Sequence, residues 1–186
     1  MKRFFVLFLL VFPLASAVPQ ETALQGFEHW TAAELGRVGQ ALSVGAASDP
    51  HHIAVKQLAD FPNEAFLLAH READGQVEWH ETQIDIFFVQ SGSATLVVGG
   101  TYLNGETVAP HERRNGTIQG GTRQKLSTGD IVRIPARIPH QVLLEGAHEF
   151  TYLVVKVKGY LGTSPPRRVS DRRIRSLCMR LRIFLA

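Results

Sequence analysis

The chain has 186 residues, of which 45% are hydrophobic and 20% charged, a composition that fits one globular domain and excludes a largely disordered chain. The net charge of +3 is unevenly spread, because residues 18–158 carry 11 basic against 16 acidic residues, whereas residues 159–186 carry seven arginines and one acid. The core is therefore mildly acidic, which argues against a nucleic-acid-binding face, and only the basic tail is expected to touch anionic surfaces.

The N-terminus has the pattern of a secretion signal. Lys2 and Arg3 precede an apolar run from Phe4 to Leu14, and the small residues Ala15-Ser16-Ala17 follow. The run is shorter than the roughly 20 apolar residues that a membrane-spanning helix needs. We therefore expect residues 1–17 to be a cleaved signal peptide and the protein to be exported, periplasmic or secreted. The alternative is an uncleaved membrane anchor.

Residues 18–60 are expected to form an N-terminal helix and a lead-in. Thr31 and Glu34 have the spacing of a capping box, which predicts a helix of about ten residues from this point. Ser43 to Pro50 is interpreted as a loop. His51 and His52 are adjacent, so on a strand they would face opposite ways and at most one could join a common site.

Residues 61–158 are expected to form the folded β domain. Short runs rich in β-branched and aromatic residues alternate with Gly, Pro, Asn, Asp or Ser, which predicts strands over 65–70, 84–90, 94–98, 122–126, 131–134, 140–144 and 150–157. Such a series is typical of an antiparallel sandwich or barrel. Asp85 interrupts an otherwise apolar strand, and a buried carboxylate needs a cation, hydrogen bonds or a metal as its partner.

The segment between Gly99 and Gly121 is polar and rich in glycine. It is long enough to form a lid over a barrel mouth, or a surface loop without function. The charged group His111 to Arg114 within it is interpreted first as solvated charges and second as substrate contacts.

After residue 158 the composition changes, and residues 159–186 form a basic tail that holds the only cysteine, Cys178. A disulfide within the chain is therefore impossible. A disordered tail is the favoured interpretation, and a short basic amphipathic helix through Ile174, Leu177 and Leu181 is the alternative.

Two stretches carry candidate metal ligands. The first runs from Glu78 through His80 and Asp85 to Gly92, and the second runs from Gly129 through Pro135 to His140. They resemble the two motifs of the cupin superfamily, G-x5-H-x-H-x3-4-E-x6-G and G-x5-P-x-G-x2-H-x3-N. The resemblance covers roughly residues 61 to 158. It implies an all-β fold, an antiparallel double-stranded β-helix or jelly-roll barrel, preceded here by a short helix.

The chain also departs from those motifs. Glu78 stands at the first His position and Asp85 at the Glu position, while Arg137 replaces a Gly and Leu144 an Asn. The opening Gly is absent, and Gly75 is the nearest glycine. An alternative alignment puts His80 first and makes Thr82 the missing ligand, but it shortens the spacer and loses a liganding side chain.

The resemblance implies a metal site formed by His80, Asp85 and His140, with Glu78 as a fourth ligand or a general base. Two imidazoles and a carboxylate suit Fe(II), and mixed nitrogen and oxygen ligation also accepts Mn, Ni, Co, Cu or Zn. Arg123 and Lys125 share one face of a predicted strand and are candidates to hold an anionic substrate. Alternatively, they neutralise nearby acids.

The expected function is that of an exported cupin metalloprotein acting on a small polar molecule by dioxygenase, isomerase or lyase chemistry. The alternative is a non-catalytic ligand-binding or storage cupin, with a structural metal or none. A metal-free sugar-nucleotide epimerase is less favoured, because that chemistry needs a His and Tyr pair and no convincing pair is visible. The resemblance also implies a homodimer paired through sheet edges.

Overall fold

The computed structural model describes residues 24–159. Residues 24–30 belong to a separate unit without helix or strand. The helix and the strands lie within residues 31–159. The predicted signal peptide, the basic tail and Cys178 lie outside the described residues. Within the described range, no helix has the length and apolar character that crossing a membrane requires.

One helix, α1, spans Ala32–Ser48. Its predicted start is confirmed: the Glu34 amide donates to Thr31 Oγ1 at 3.2 Å, and the Thr31 amide donates to the Glu34 carboxylate at 2.8 Å. The prediction of a loop from Ser43 was wrong. Leu42 and Ala46 lie four residues apart on one face and are both buried, so packing on that face carries the helix to Ser48.

Twelve strands follow the helix. They are Ile53–Asp60 (β1), Glu64–Arg71 (β2), Glu78–His80 (β3), Ile84–Val98 (β4), Thr101–Leu103 (β5), Glu106–Ala109 (β6), Glu112–Arg114 (β7), Thr117–Gln119 (β8), Thr122–Ser127 (β9), Ile131–Ile134 (β10), His140–Leu143 (β11) and Phe150–Val157 (β12). Every pairing is antiparallel. The main sheet has the order β1-β2-β12-β4-β11-β3-β7-β6, with β9 and β10 also on β4, and β5 pairs with β8 separately.

Strand β4 curls the sheet onto itself. Its first half pairs with β10 and β12, and its second half pairs with β9 and β11. The bend lies near Gly92, which has φ of 76° and leaves no room for a Cβ beside the Glu149 carbonyl oxygen. A glycine is required there on both counts. The predicted fold, an antiparallel double-stranded β-helix with a short N-terminal helix, is confirmed.

The core lies inside the curl of the sheet, between the strands that face each other. Its largest fully buried side chains include Phe150, Leu96, Leu126 and Ile134, all with 2% or less of their surface exposed. These residues come from β12, β4, β9 and β10. The core therefore joins strands that are distant in sequence, and it fixes the register on which the site depends.

The structure corrects the predicted strands in three places. The runs 84–90 and 94–98 are one continuous strand, β4. Strand β1 was not predicted, so the sheet begins at Ile53 rather than after residue 61. The segment between Gly99 and Gly121 forms four short strands, β5 to β8, rather than a loop or lid. Strand β7 of this segment pairs with β3, and this pairing supplies hydrogen bonds that an irregular segment would lack.

Candidate metal centre

Strand register brings together the four side chains that the motifs singled out. Glu78 and His80 are two residues apart on β3, so their side chains share a face. His140 begins β11 and lies opposite Glu78 in the register. Asp85 follows the turn after β3 and enters β4. One ligand atom from each of the four lies within 4.8 Å of the others.

The separations within the cluster suit one shared ion. His80 Nε2 lies 3.2 Å from Asp85 Oδ2 and 3.6 Å from Glu78 Oε2, and His140 Nε2 lies 3.7 Å from Asp85 Oδ2. Two ligand atoms on a tetrahedral ion with bonds near 2.0 Å are about 3.3 Å apart. Small side-chain movements would therefore close the cluster around a single metal.

The remaining imidazole nitrogens decide which atoms face the cluster. His80 Nδ1 lies 2.5 Å from the Glu112 carboxylate, and His140 Nδ1 lies 3.2 Å from the Ile138 carbonyl oxygen. Both partners only accept hydrogen bonds, so each Nδ1 donates and each Nε2 is the atom left for a metal. Such outer partners are the usual support of metal-binding histidines.

One buried nitrogen lacks a partner. His140 is 2% exposed, and its Nε2 has no hydrogen-bond partner among the described residues. A buried polar atom without a partner costs about 1–3 kcal/mol. The donor set and this orphaned nitrogen both fit a divalent metal bound by His80, His140, Asp85 and Glu78.

The carboxylates of the cluster are held in their ionised form. Burial by itself raises the pKa of Asp85, but the close imidazoles of His140 and His80 and the charge of Lys156 hold that pKa well below the usual range. Burial also raises the pKa of Glu78, and the charges of Arg114, His140, Lys156 and Arg71 more than reverse that effect. Both groups are therefore ready to bind a cation at neutral pH.

Without a metal, His80 is protonated and these acids offset its positive charge. Burial lowers its pKa, but hydrogen bonds to Asp85 and Glu112 raise it to about 9. The second proton then lies on Nε2 and is donated to Asp85. The Lys156 Nζ, 3.3 Å from the same Nε2, is therefore a close neighbour rather than a hydrogen-bond donor to it.

Lys156 is the unexpected member of the site. It lies on β12 opposite Asp85 in the register, and its Nζ is 3.0 Å from both carboxylate oxygens of Asp85. Its side chain is 20% exposed. Lys156 therefore balances the negative charge of Asp85 when no metal is bound. A metal that binds Asp85 would have to displace the lysine ammonium group.

Two arginines stand beside the cluster. The Arg71 side chain donates from Nε to the Tyr152 hydroxyl at 2.9 Å. Arg114 lies 3.2 Å from Glu78 and 2.7 Å from Glu112. Gly75 makes room for this arrangement, because a Cβ there would come within 2.9 Å of Arg71 Nη1.

The charged segment 111–114 is not simply solvated. Strand β7 pairs with β3, so that Glu112 lies opposite His80 and Arg114 opposite Glu78. The first interpretation of these two residues was wrong, since their side chains contact the cluster. Arg113 instead lies 5.0 Å over the Tyr102 ring and 5.9 Å over the Trp79 ring.

Arg123 and Lys125 lie apart from the cluster. The Arg123 side chain is 52% exposed and pairs with Glu145, and Lys125 is also exposed on β9. Neither lines the cavities beside the cluster, where Arg71 and Arg114 are found instead. Their predicted role as substrate contacts stays a prediction.

Comparisons with known proteins give remote structural likenesses only. No family model matches the chain, and no curated protein matches it significantly. Among solved structures, KdgF from Halomonas sp. is similar with a TM-score of 0.43 and 18% identity over 65% of this chain and 85% of that one. DMSP lyase DddQ from Ruegeria pomeroyi DSS-3 gives 0.42 and 20% over 61% of this chain and 50% of that one. A cupin 2 conserved barrel domain protein from Rhodopseudomonas palustris gives 0.41 and 17% over 70% and 76%.

The assignment rests on the strands and motifs of the chain itself. Gly92, Gly129 and Arg137 stand at three motif glycine positions, and all adopt positive φ, at 76°, 90° and 64°. The two motifs lie on antiparallel strands that meet at one cluster. The chain has a cupin fold. In this fold the Arg137 amide donates to the His80 carbonyl oxygen at 2.7 Å, which ties the second motif to the first.

Proposed function

We propose that this cupin is a metal-dependent enzyme that acts on a small polar molecule. One observation carries the proposal. The Nδ1 atoms of both histidines donate to acceptors outside the cluster, so His80 Nε2 and the orphaned His140 Nε2 are left facing the ionised carboxylates of Asp85 and Glu78. A structural core needs no such convergence of buried donors.

Each residue has a defined part in this proposal. His80, His140 and Asp85 hold the metal, and Glu78 is a fourth ligand or accepts a proton from substrate. Glu112 fixes the orientation of His80 through Nδ1. When bound, a divalent Fe, Mn, Ni or Zn ion supplies Lewis acidity towards an oxygen atom of the substrate. Apolar side chains such as Phe87 and Val154 line the adjoining cavity and limit access of water.

Dioxygenase, isomerase and lyase chemistry are all compatible with this ligand set, and fold does not choose among them. Glu78 is ionised and belongs to the cluster, which favours acid–base chemistry of the isomerase or lyase type. The competing proposal is a non-catalytic binding or storage cupin, in which Glu78 closes the coordination shell.

Cobalt(II) substitution separates these possibilities. The visible absorption of Co(II) reports mixed nitrogen and oxygen ligation, and added azide shifts the bands only if a coordination position is open. We expect one Co(II) per chain and an azide-dependent shift. Failure to bind cobalt in the whole chain contradicts the metalloenzyme proposal, and binding without an azide effect supports the storage alternative.

We also propose that the protein is exported and forms a homodimer. The signal-like pattern of residues 1–17 supports export. Strand β1 ends the main sheet in the described part of the chain and exposes 50% of Val55, which supports pairing through an edge. Fractionation of cells and light scattering of the purified chain test the two proposals, and retention in the cytoplasm or a monomeric mass would contradict them.

A further inference from the structure

Two adjoining cavities lead from the surface to the metal cluster. The inner cavity has a volume of about 140 Å³ and reaches Asp85 and Lys156, and the outer one has about 300 Å³ and opens beside His51 and His52. Both are lined by the same four residues at their junction, Ile53, Arg71, Glu78 and Arg114. A ligand in either cavity therefore lies close to two guanidinium groups.

Arg71 is a buried cation, and the Tyr152 hydroxyl and the Glu78 carboxylate offset the cost of its burial. It is 7% exposed, and a guanidinium stays charged in a protein. Among the described residues, one carboxylate oxygen lies within ion-pair distance of it, Glu78 Oε1 at 3.4 Å. Close charge-assisted pairs have separations of about 2.7–2.9 Å. Arg71 therefore has capacity to bind a further anion at the junction.

Arg114 forms the opposite wall of the junction. Its side chain is 34% exposed, and the carboxylates that it contacts, Glu112 and Glu78, are shared with His80. When Glu78 binds a metal, less of its negative charge faces Arg114. Both arginines then face the junction with less compensation than in the metal-free chain.

The charges around the cluster also favour an anionic ligand. With the imidazoles neutral, as metal ligands are, the cations Arg71, Arg114 and Lys156 balance the carboxylates Glu78, Asp85 and Glu112. A divalent ion adds two positive charges to a partly buried site. An anionic ligand offsets that excess, whereas a cationic ligand would increase it.

Half of the residues that line the inner cavity are apolar. Val55, Leu67, Ala69, Phe87 and Val154 line it, and they offer contacts to carbon rather than to hydroxyl groups. An apolar cavity of about 150 Å³ accommodates a molecule of the size of benzene. The body of the ligand that fits is therefore compact and mostly hydrocarbon.

We propose that the site binds a small monocarboxylate, with its apolar body in the inner cavity towards the metal. Its carboxylate takes the place between Arg71 and Arg114 that the Glu78 carboxylate leaves when it turns to the metal. This inference rests on the proposed function, since it names the substrate class of the same site. Arg71 and Arg114 are then specificity-determining residues. The Tyr152 hydroxyl, which accepts from Arg71 Nε, holds the first guanidinium in place.

Isothermal titration of the whole chain with benzoate and benzamide tests the proposal. The two probes have nearly the same shape, but only benzoate is charged. In the zinc-loaded chain we expect benzoate to bind at least about tenfold more tightly, since hydrogen bonds to charged groups are the stronger ones. Arg71→Gln and Arg114→Gln should each reduce benzoate affinity about tenfold and leave benzamide affinity unchanged.

Arg37→Gln is the matched control, because it removes an exposed arginine on α1 that lines neither cavity. Arg114 is the safer test if Arg71→Gln fails to fold, since it is the more exposed of the two. Equal affinities for benzoate and benzamide, or a preference for benzoate that survives both substitutions, would overturn the inference.

Zinc content, measured on the same samples, separates this inference from the proposed function. A chain that binds zinc but shows no preference for benzoate defeats the carboxylate proposal alone. A chain that binds no zinc but prefers benzoate through Arg71 and Arg114 defeats the metalloenzyme proposal and keeps the anion site.

Discussion

Lys156 should compete with the metal for Asp85. In the metal-free chain its Nζ lies 3.0 Å from both Asp85 oxygens, a separation worth about 5 kcal/mol of attraction at an effective dielectric constant near 20. Partial exposure of the lysine and its rehydration on release reduce the net cost of displacing it to about 1–3 kcal/mol. Lys156→Gln should therefore tighten metal binding by about 10- to 100-fold.

The same substitution should have the opposite effect on the metal-free fold. Without Lys156, buried Asp85 keeps only its histidine partners, so the free energy of unfolding should fall by about 1–3 kcal/mol. Affinity is measured by zinc competition against a chelator, and stability by urea denaturation in EDTA. Lys158→Gln is the control, because Lys158 pairs with the exposed Asp60 instead of the cluster. Unchanged or weaker zinc binding in Lys156→Gln would refute the competition.

Two further substitutions test the support of the site and the bend of the fold. Glu112→Gln removes the charge that orients His80 and should weaken metal binding about 10- to 100-fold while metal remains detectable, as measured by the same zinc competition. Gly92→Ala places a Cβ against the Glu149 carbonyl at positive φ and should cost about 2–5 kcal/mol in urea denaturation. Gly146→Ala has positive φ but open space, so it should cost only about 1 kcal/mol, and equal losses would contradict the proposed clash.

The motif resemblance was enough to predict the fold and the four residues that meet in the cluster. The predicted turn between His80 and Asp85 lies between β3 and β4, and His140 begins a strand as expected. These two placements depend on residues close in sequence, where parity along a strand and turn residues are informative. The meeting of His140 with Glu78 depends instead on the register of β11 on β3.

The other members of the site depend on pairings between distant strands. Lys156 meets Asp85 only through the register of β12 on β4, and Glu112 meets His80 only through that of β7 on β3. Arg71 lies just beyond the predicted strand 65–70, and no feature of the sequence indicated its partner Tyr152. One local signal was available for Glu112 and Arg114, since alternate charged residues in a three-residue strand share a face.

Strand lengths were harder to predict than their existence. Gly92 and its polar neighbours suggested a break between two strands, but β4 continues through a bend. The helix was underestimated for a related reason, because Ala46 gives a weak hydrophobic signal although it is fully buried. Both errors arose where tertiary packing, and not local preference, decides the end of an element.

Elemental mass spectrometry of the whole purified chain is the most direct test of the metal centre. His80→Ala and His140→Ala are measured beside the parent, and Arg123→Ala serves as a control distant from the cluster. The account predicts near-stoichiometric transition metal in the parent and the control, and its loss in both histidine variants. A parent that holds no metal after reconstitution with Fe(II), Mn(II), Ni(II) or Zn(II), or histidine variants that keep it, would contradict the account.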